Sequence, residues 1–381
     1  MKENREVVFT EGGKKVSLPF RSALMTPPPQ RITCVDDTQK ADVAYRLACE
    51  GTGLLWRGDF HNARQLLNAM ARRFDRKPQK KSEDPARAFH QYRMLQAQRS
   101  AILGKLLLQF EAGHVLNLKR APDVRAACLE VYGESDVAYA ASLRELQGLI
   151  GAHEWRKKGV EIRTLGARIH PHYGVFSPVR GEYLTLVAKA PLPKGAHHGG
   201  SAFDIGTGTG VIAAILAKRG VQHIIATDCA DHALICAEDN ITRLGLQGSI
   251  TVQKADLFPP GKASLIVCNP PWLPGRPASL LERAVYDPDS RMLRTYLDGL
   301  ANHLEEEGEG WLILSDLAEL LGLRLRQDLI NLFECAGLDV VDRMDIKPHH
   351  PRTQDTLDHL YMARSAEVTS LWRLAMKKHW R

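Results

Sequence analysis

The feature that most constrains the fold is a regular alternation of two patterns after about residue 160. Short apolar runs rich in Val and Ile alternate with segments in which apolar residues recur every three or four positions. Such alternation predicts parallel strands joined by helices, because each helix returns the chain to the start of the next strand.

We expect strands over 201–205, 223–227, 249–253, 264–268, 310–314, 338–343 and 358–363. We expect helices over 210–219, 230–244, 290–306 and 317–336. This part of the chain therefore predicts an α/β fold with a seven-stranded, mostly parallel, Rossmann-like sheet that is covered by helices on both faces.

The first 160 residues follow a different pattern. Gly12-Gly13 separates two short apolar runs, which predicts a β-hairpin near the start. From residue 38 to about residue 155, apolar residues recur at helical spacing, and we expect helices over 40–56, 60–74, 86–111, 122–132 and 136–155. The sequence thus predicts two domains, a mainly helical N-terminal domain of residues 1–160 and an α/β domain of residues 161–381.

The positive charge of the chain is concentrated in the first domain. Residues 1–160 contain 27 Lys and Arg against 18 Asp and Glu, whereas residues 161–381 contain 24 against 26. Residues 72–81 alone contain six basic side chains and one acidic one. Because basic surfaces attract phosphates, we predict that this domain binds an acidic partner, with RNA expected and with Arg72, Arg73 and Lys77 among the binding residues. The alternative interpretation of the basic run is a solvated linker.

Other features narrow the range of settings and partners. No run approaches the roughly 18 apolar residues that a membrane span needs. The opening residues, MKENRE, lack the apolar stretch of a secretory signal, so we expect a cytoplasmic protein with no membrane partner. The seven cysteines include no pair at the two-residue gap of zinc and redox sites, and we predict no metal.

A glycine-rich turn, residues 204–210, follows the first expected strand of the sheet and opens its first helix. Glycine lets a backbone turn tightly and approach a ligand without side-chain clash. Dinucleotide-binding turns have glycines at the first, third and sixth positions, but counting from Gly206 the sixth position is Val211. Here they occupy the first, third and fifth positions, with an acid two residues earlier. This form resembles motif I of the class I S-adenosylmethionine-dependent methyltransferases, which implies a cofactor site that includes Asp204, Gly206, Thr207, Gly208 and Gly210.

Two further acids extend the resemblance in the expected order along the chain. Asp228 ends the second expected strand of the sheet, and Asp256 follows the third. The resemblance implies that Asp228 accepts hydrogen bonds from the ribose hydroxyls of S-adenosylmethionine, and that Asp256 lies beside the adenine amino group. Successive strand ends share one edge of a parallel sheet, so these acids and the glycine turn outline one cofactor site.

The most specific motif is Asn269-Pro270-Pro271-Trp272, which directly follows the apolar run 265–268. It resembles motif IV of the methyltransferases that act on nitrogen. A planar amine or amide nitrogen is a poor nucleophile because its lone pair is delocalised. The Asn269 side-chain oxygen and the Pro270 carbonyl can accept its two N–H bonds, while the prolines stiffen the turn and Trp272 can stack on a planar substrate. We predict that Asn269, Pro270 and Trp272 are catalytic, that Pro271 and Trp272 contact the substrate, and that Asn269 also borders the cofactor.

A looser match lies upstream, where Gly174-Val175-Phe176-Ser177 resembles a segment that closes over the cofactor in small-domain methyltransferases. An ordinary entry loop is the alternative interpretation. The resemblance covers about residues 165–365 and leaves the first domain unexplained. Ribosomal RNA guanine-N2 enzymes have a second, degenerate methyltransferase domain there, and release-factor glutamine methyltransferases have a shorter helical domain.

The sequence therefore predicts an S-adenosylmethionine-dependent N-methyltransferase of the small-domain family. The expected methyl acceptor is the exocyclic amine of an RNA base, favoured by motif IV and the basic first domain. A protein glutamine is the alternative acceptor, favoured by the expected helical first domain. A small molecule is a third candidate.

Overall fold

The computed structural model describes residues 5–76, 82–179, 181–197, 199–349 and 360–377. The chain divides into two compact units. The first consists of residues 1–81 and 90–154, and the second of residues 82–89 and 155–381. The division at 154/155 lies close to the boundary predicted from the sequence. Among the described residues, none of the helices combines the length and the apolar character needed to cross a membrane.

The first unit contains a four-stranded sheet. The strands of this unit are β1 Glu6–Glu11, β2 Lys14–Pro19, β3 Arg31–Val35, β4 Thr52–Trp56, β5 Leu106–Phe110 and β6 Tyr139–Ser142. The helices of this part of the chain are α1 Ala41–Cys49, α2 Phe60–Asp75, α3 Pro85–Leu103, α4 Arg125–Tyr132 and α5 Leu143–Lys158, with a 3-10 turn at Ala112–His114. Strands β1 and β2 form the hairpin predicted around Gly12-Gly13. The sheet has the order β3-β4-β5-β6, in which β6 alone is antiparallel to its neighbour.

This sheet corrects the prediction of a mainly helical N-terminal domain. Helices were expected over 40–56, 86–111 and 136–155, but each of these ranges also contains a strand, β4, β5 and β6 respectively. All five residues of β4 are buried, as are four of the five in β5. A strand buried on both faces shows no polar alternation, so its apolar run is easily taken for the continuation of a neighbouring helix. The first unit is therefore α/β.

The second unit contains the expected seven-stranded sheet. The strands of this unit are β7 Val160–Ile162, β8 Ala167–Ile169, β9 Ser201–Ile205, β10 His223–Asp228, β11 Ile250–Lys254, β12 Ala263–Cys268, β13 Leu273–Pro274, β14 Tyr286–Asp287, β15 Leu304–Ser315, β16 Leu338–Ile346 and β17 Thr369–Met376. Its helices are α6 Glu182–Lys189, α7 Val211–Lys218, α8 Asp231–Arg243, α9 Arg291–His303, α10 Leu317–Leu320, α11 Arg326–Cys335 and α12 Tyr361–Ala366, with 3-10 turns at Lys194–Ala196, Leu281–Ala284 and Pro288–Ser290. The sheet order is β11-β10-β9-β12-β15-β17-β16.

The last strand of this sheet was placed wrongly by the sequence. A strand was expected over 358–363, of which 358 and 359 lie outside the described residues and 361–363 belong to α12. The strand is β17 instead, antiparallel to both β15 and β16. Leu371 and Trp372 pack into the cores on opposite faces of the sheet. Arg373 of this strand pairs with the buried Glu309 at 2.7 Å.

The strand order creates a crevice at one edge of the sheet. Strand β9 leads through α7 to β10 on one side, whereas β12 lies on the other side of β9. The carboxyl ends of β9 and β12 therefore border the point at which the winding direction changes. Ligands of open α/β sheets bind at such switch points. Apolar cores on both faces, one around Val267 and the other around Ile266, hold this edge rigid.

Candidate functional site

The turn between β9 and α7 contains the predicted glycine motif. Gly206, Gly208 and Gly210 have φ values of +70°, +55° and +78°, a region that L side chains rarely adopt. Gly210 is the N-cap of α7 and has no side chain with which to cap the helix. The first N–H groups of α7 therefore face the turn without a side-chain acceptor from that position, as anion- and dipole-binding helix starts require.

Asp204 organises this turn from within the protein. It is fully buried, and its Oδ2 accepts hydrogen bonds from the Thr207 hydroxyl at 2.6 Å and from the Ala213 N–H at 3.0 Å. Burial raises the pKa of Asp204 to about 6, and these two hydrogen bonds oppose the rise. Among the described residues, its Oδ1 has no hydrogen-bond partner. A buried oxygen left in this state suits a ligand that supplies a donor, such as the amino group of a methionine moiety.

Asp228 ties the neighbouring strand to the same turn. Its Oδ2 accepts a hydrogen bond from the Gly208 N–H at 3.2 Å, and its Oδ1 accepts one from the Ala230 N–H at 3.0 Å. Each carboxylate oxygen keeps a further lone pair for hydroxyl donors. Asp228 is half-buried at the end of β10, so it combines a fixed position with access from solvent.

The register of the strands places the four predicted groups side by side. Ile205 of β9 pairs with Thr227 of β10 and with Cys268 of β12, so Asp228, Gly206 and Asn269 follow one another across the edge. Asp228 also pairs with Lys254 at the end of β11, two residues before Asp256. With strands about 4.8 Å apart, Asp256 and Asn269 lie at opposite ends of a crevice about 14 Å wide. The structure thus brings the predicted cofactor residues and motif IV together.

Motif IV forms an internally bonded turn. The Trp272 indole N–H donates to the Asn269 side-chain Oδ1 at 2.9 Å. Pro270 is buried, whereas Asn269, Pro271 and Trp272 are half-buried. The Trp272 ring packs against the apolar cores on both faces of the sheet. The carboxamide therefore lies at the carboxyl end of β12 in one defined orientation.

Tyr183 is a member of this site that the sequence analysis did not predict. It lies on α6, directly after the segment 173–182, and is buried beside both Asn269 and Asp204. Burial raises the pKa of the Tyr183 hydroxyl, the charge of Asp204 raises it further, and a hydrogen bond with Asn269 opposes the rise. The phenol is thus neutral at any physiological pH.

The segment around Val175 packs against the glycine turn. A Cβ at Gly208 would lie 3.9 Å from a methyl group of Val175, and one at Gly174 would lie 3.2 Å from the Leu280 side chain. Val175 also joins a small apolar cluster with Ala233 and Cys236 of α8. The segment therefore contacts both the cofactor turn and the loop that follows motif IV.

Asn240 was missed by the sequence reasoning. Its side-chain N–H₂ donates to the Thr209 carbonyl of the glycine turn at 3.1 Å, and its Oδ1 accepts from the His170 N–H at 2.7 Å. It is almost fully buried on α8, in the same stripe as Cys236 and Ala237. A polar residue at an apolar position of an amphipathic helix was the available signal.

The predicted RNA-binding cations differ in their surroundings. Arg72 is exposed at the end of α2. The Arg73 guanidinium is paired with Asp42 at 2.5 Å and also donates to the Ala69 carbonyl at 3.1 Å. Lys77 lies outside the described residues. Of the three, the structure therefore shows a solvent-facing position for Arg72 and an ion pair within the same chain for Arg73.

Comparison with known proteins agrees with this geometry. Residues 166–318 match the model of the methyltransferase small domain. The release factor glutamine methyltransferase of Prochlorococcus marinus is 30% identical over 148 residues, which cover 37% of this chain and 48% of that protein. The ribosomal protein L11 methyltransferase of Pelotomaculum thermopropionicum is 35% identical over 151 residues, 39% of this chain and 48% of that protein. The tRNA1(Val) (adenine(37)-N6)-methyltransferase of Bacteroides thetaiotaomicron is 31% identical over 138 residues, 33% of this chain and 55% of that protein.

The fold, the site and these matches agree on one class. Residues 166–318 of the second unit are similar to the methyltransferase small domain, in agreement with the resemblance of motifs I and IV to the class I S-adenosylmethionine-dependent methyltransferases. The chain spans about half the length, or less, of the curated relatives that it matches. The cofactor of this family is S-adenosylmethionine, and the glycine turn, the unsatisfied oxygen of Asp204 and the Asp228 carboxylate are suited to hold it.

Proposed function

We propose that this protein transfers a methyl group from S-adenosylmethionine to a planar nitrogen, most specifically the exocyclic amine of an RNA base. The observation that carries the proposal is the pairing of Cys268 with Ile205, which sets Asn269 of motif IV directly beside Gly206 of the cofactor turn. An acceptor nitrogen held by Asn269 is thereby adjacent to the part of the site suited to the methionine moiety. The residues of one sheet edge supply both halves of a transfer site.

The role of the protein in this reaction is positioning. S-adenosylmethionine, when bound, supplies a methyl group already activated by the positively charged sulfur. The Asn269 Oδ1 and the Pro270 carbonyl accept the two N–H groups of the acceptor and orient its lone pair. Accepting these hydrogen bonds also favours the positive charge that the nitrogen gains as it reacts. A strong general base is not required.

The α/β architecture of the first unit bears on the choice of acceptor. A helical first domain was the reason to favour a protein glutamine, and the sheet β3-β4-β5-β6 removes that reason. The excess of nine positive charges in residues 1–160 still favours an acidic acceptor such as RNA. Among the relatives, one is named for tRNA adenine and others for release factor glutamine, so a protein glutamine is the second candidate. A small molecule is the third.

Transfer of tritium from labelled S-adenosylmethionine distinguishes these acceptors. The purified protein is incubated with total RNA and, separately, with total protein extract, each from cells that lack it. We expect label in the RNA fraction that ribonuclease releases and protease does not. Label released by protease would favour the glutamine candidate, and acid-soluble label that chromatography separates from unreacted S-adenosylmethionine would favour a small molecule. Absence of label from all fractions would contradict the proposed function.

A further inference from the structure

The contact between Trp272 and Asn269 fixes more than the position of the carboxamide. The two groups are joined by a hydrogen bond of 2.9 Å from the indole Nε1–H to the Asn269 side chain. An indole nitrogen can only donate, so the atom that faces it must be the carboxamide oxygen. Rotation of the carboxamide by 180° would place two donors against each other. The hydrogen bond from Trp272 therefore fixes the orientation of the Asn269 carboxamide, with its oxygen facing the indole.

The position of the indole is itself strongly constrained. Its ring packs against both apolar cores of the second unit, around Val267 on one face of the sheet and around Ile266 on the other. It follows two consecutive prolines, which restrict the backbone on its N-terminal side. A ring that packs against core residues from both faces of the sheet is a rigid donor.

We propose that Trp272 is a positioning residue that orients the Asn269 carboxamide for the acceptor nitrogen, and that this is its main contribution in place of stacking on the substrate. The inference rests on the proposed function, because it assumes that Asn269 binds the acceptor. The carboxamide oxygen has two lone pairs, of which Trp272 occupies one. The second lone pair remains for one N–H of the nitrogen that receives the methyl group, and the Pro270 carbonyl is available for the other N–H of that nitrogen.

The two roles of Trp272 predict different behaviour for Trp272→Phe. Phenylalanine keeps a flat ring that can stack but has no N–H to donate. If Trp272 orients Asn269, the variant should lower the initial rate at saturating total RNA about tenfold, a loss comparable to one positioning hydrogen bond. The half-saturating RNA concentration and the affinity for S-adenosylhomocysteine should change less than about twofold, because neither is bound through this hydrogen bond.

A double-mutant cycle separates action through Asn269 from direct action on the substrate. In an Asn269→Ala background, Trp272→Phe should change the residual rate less than about twofold, because the group that it orients is already absent. The matched control is Trp311→Phe, which removes the indole N–H that donates to Glu309 at 3.0 Å in the core of the same unit. This control should change thermal stability without changing the rate.

Nuclear magnetic resonance of ¹⁵N-labelled indoles reads the contact without any substrate. Trp272→Phe identifies the Trp272 signal, and Asn269→Ala should shift that signal and speed its exchange with water, leaving the Trp311 signal in place. An unshifted Trp272 signal would overturn the proposal, as would a near-wild-type rate for Trp272→Phe in a protein that methylates RNA. If the wild-type protein labels neither RNA nor protein, the proposed function fails and the positioning role fails with it. That outcome is recognisable because it appears in the wild type before any variant is compared.

Discussion

Each unit has a helix that follows a parallel strand, and the two helices differ in the residue at the N-cap. In the first unit, α2 follows β4, and Asp59 caps it by accepting from the His61 N–H at 2.7 Å. Asp59 also pairs with Arg120 at 2.6 Å, and its own N–H donates to Asp37 at 3.0 Å. In the second unit, α7 follows β9 and begins at Gly210, which offers no side chain.

The difference shows what turns a strand–helix edge into a binding site. The polar groups at the edge of the first unit are bonded to one another, so a ligand would have to break existing contacts. The edge of the second unit keeps an unsatisfied buried oxygen on Asp204, and the N-cap of its helix, Gly210, has no side chain. Both units have glycines and acids at strand ends. The edge of the second unit differs because some of its polar atoms have no hydrogen-bond partner within the described part of the protein.

The largest expected effect compares Asn269 of motif IV with an asparagine of the first unit, Asn62. Asn269→Ala should lower the rate of methyl transfer about 100- to 1000-fold, because it removes an acceptor that acts mainly in the transition state. The affinity for S-adenosylhomocysteine should stay within a few-fold. Asn62→Ala is the matched change in the first unit, where Asn62 donates to Asp37 at 2.9 Å. Rates at saturating RNA and calorimetry with S-adenosylhomocysteine check both, and equal losses in the two variants would contradict the distinction.

The second prediction concerns the opposite pH behaviour of two acids. Burial raises the pKa of Asp204 from 3.8 to about 6, so the folded protein holds this proton more tightly than the unfolded chain. The stability that Asp204 contributes is thus complete below about pH 4 and is lost as the pH rises through about 6, a change of at most roughly 3 kcal/mol. Asp204→Asn should remove this dependence, as measured by denaturant unfolding from pH 4 to 8.

Asp59 provides the contrast. A hydrogen bond from Arg120 is the main cause that lowers the pKa of Asp59, so its contribution is present above the unfolded pKa and is lost as the pH falls. Asp59→Asn should therefore reduce stability at neutral pH more than in acid. If both Asn variants shifted stability in the same direction with pH, the two edges would not differ as described.

The third prediction concerns cofactor affinity. Asp228→Asn should weaken binding of S-adenosylhomocysteine about tenfold, because hydrogen bonds to a charged acceptor are replaced by weaker ones. Asp59→Asn, the same change at the strand end of the first unit, should leave that affinity unaltered. Titration calorimetry on both proteins makes the comparison, and normal affinity in Asp228→Asn would exclude its proposed ribose contact.

The sequence predicts some features of this protein well and others poorly. Motifs I and IV could be located in the sequence because glycine spacing and a double proline are local signals that need no knowledge of packing. The strands β4, β5 and β17 were missed because they are buried on both faces and show no period of two. The Trp272–Asn269 bond could not be read from residue types alone, since stacking and donation both suit an indole.

The smallest expected effect concerns the charge difference between the two units. Replacing exposed Arg72 and Arg76 by Gln should flatten the dependence of log RNA affinity on log salt by roughly 0.7–0.9 per lost phosphate contact. The matched control is Arg73→Gln with Asp42→Asn, which removes an internal ion pair without changing the net charge. Filter binding at salt concentrations from about 50 to 200 mM measures the slope of log RNA affinity against log salt for each protein. Parallel slopes for wild type and the Arg72/Arg76 variant would remove these residues from RNA recognition.

The position of β17 has a consequence for the solubility of the protein. This strand inserts between β15 and β16, and its partners in β15 precede it by more than 50 residues, as in the pair Ser315 and Thr369. Without it, the twelve-residue β15, buried over its last eight positions, would present a long apolar edge of unpaired N–H and C=O groups. Such an edge is a template for pairing with other chains. The four strands that hold the site lie on the other side of β15, so damage to β17 should appear first as aggregation and only later as a change in chemistry.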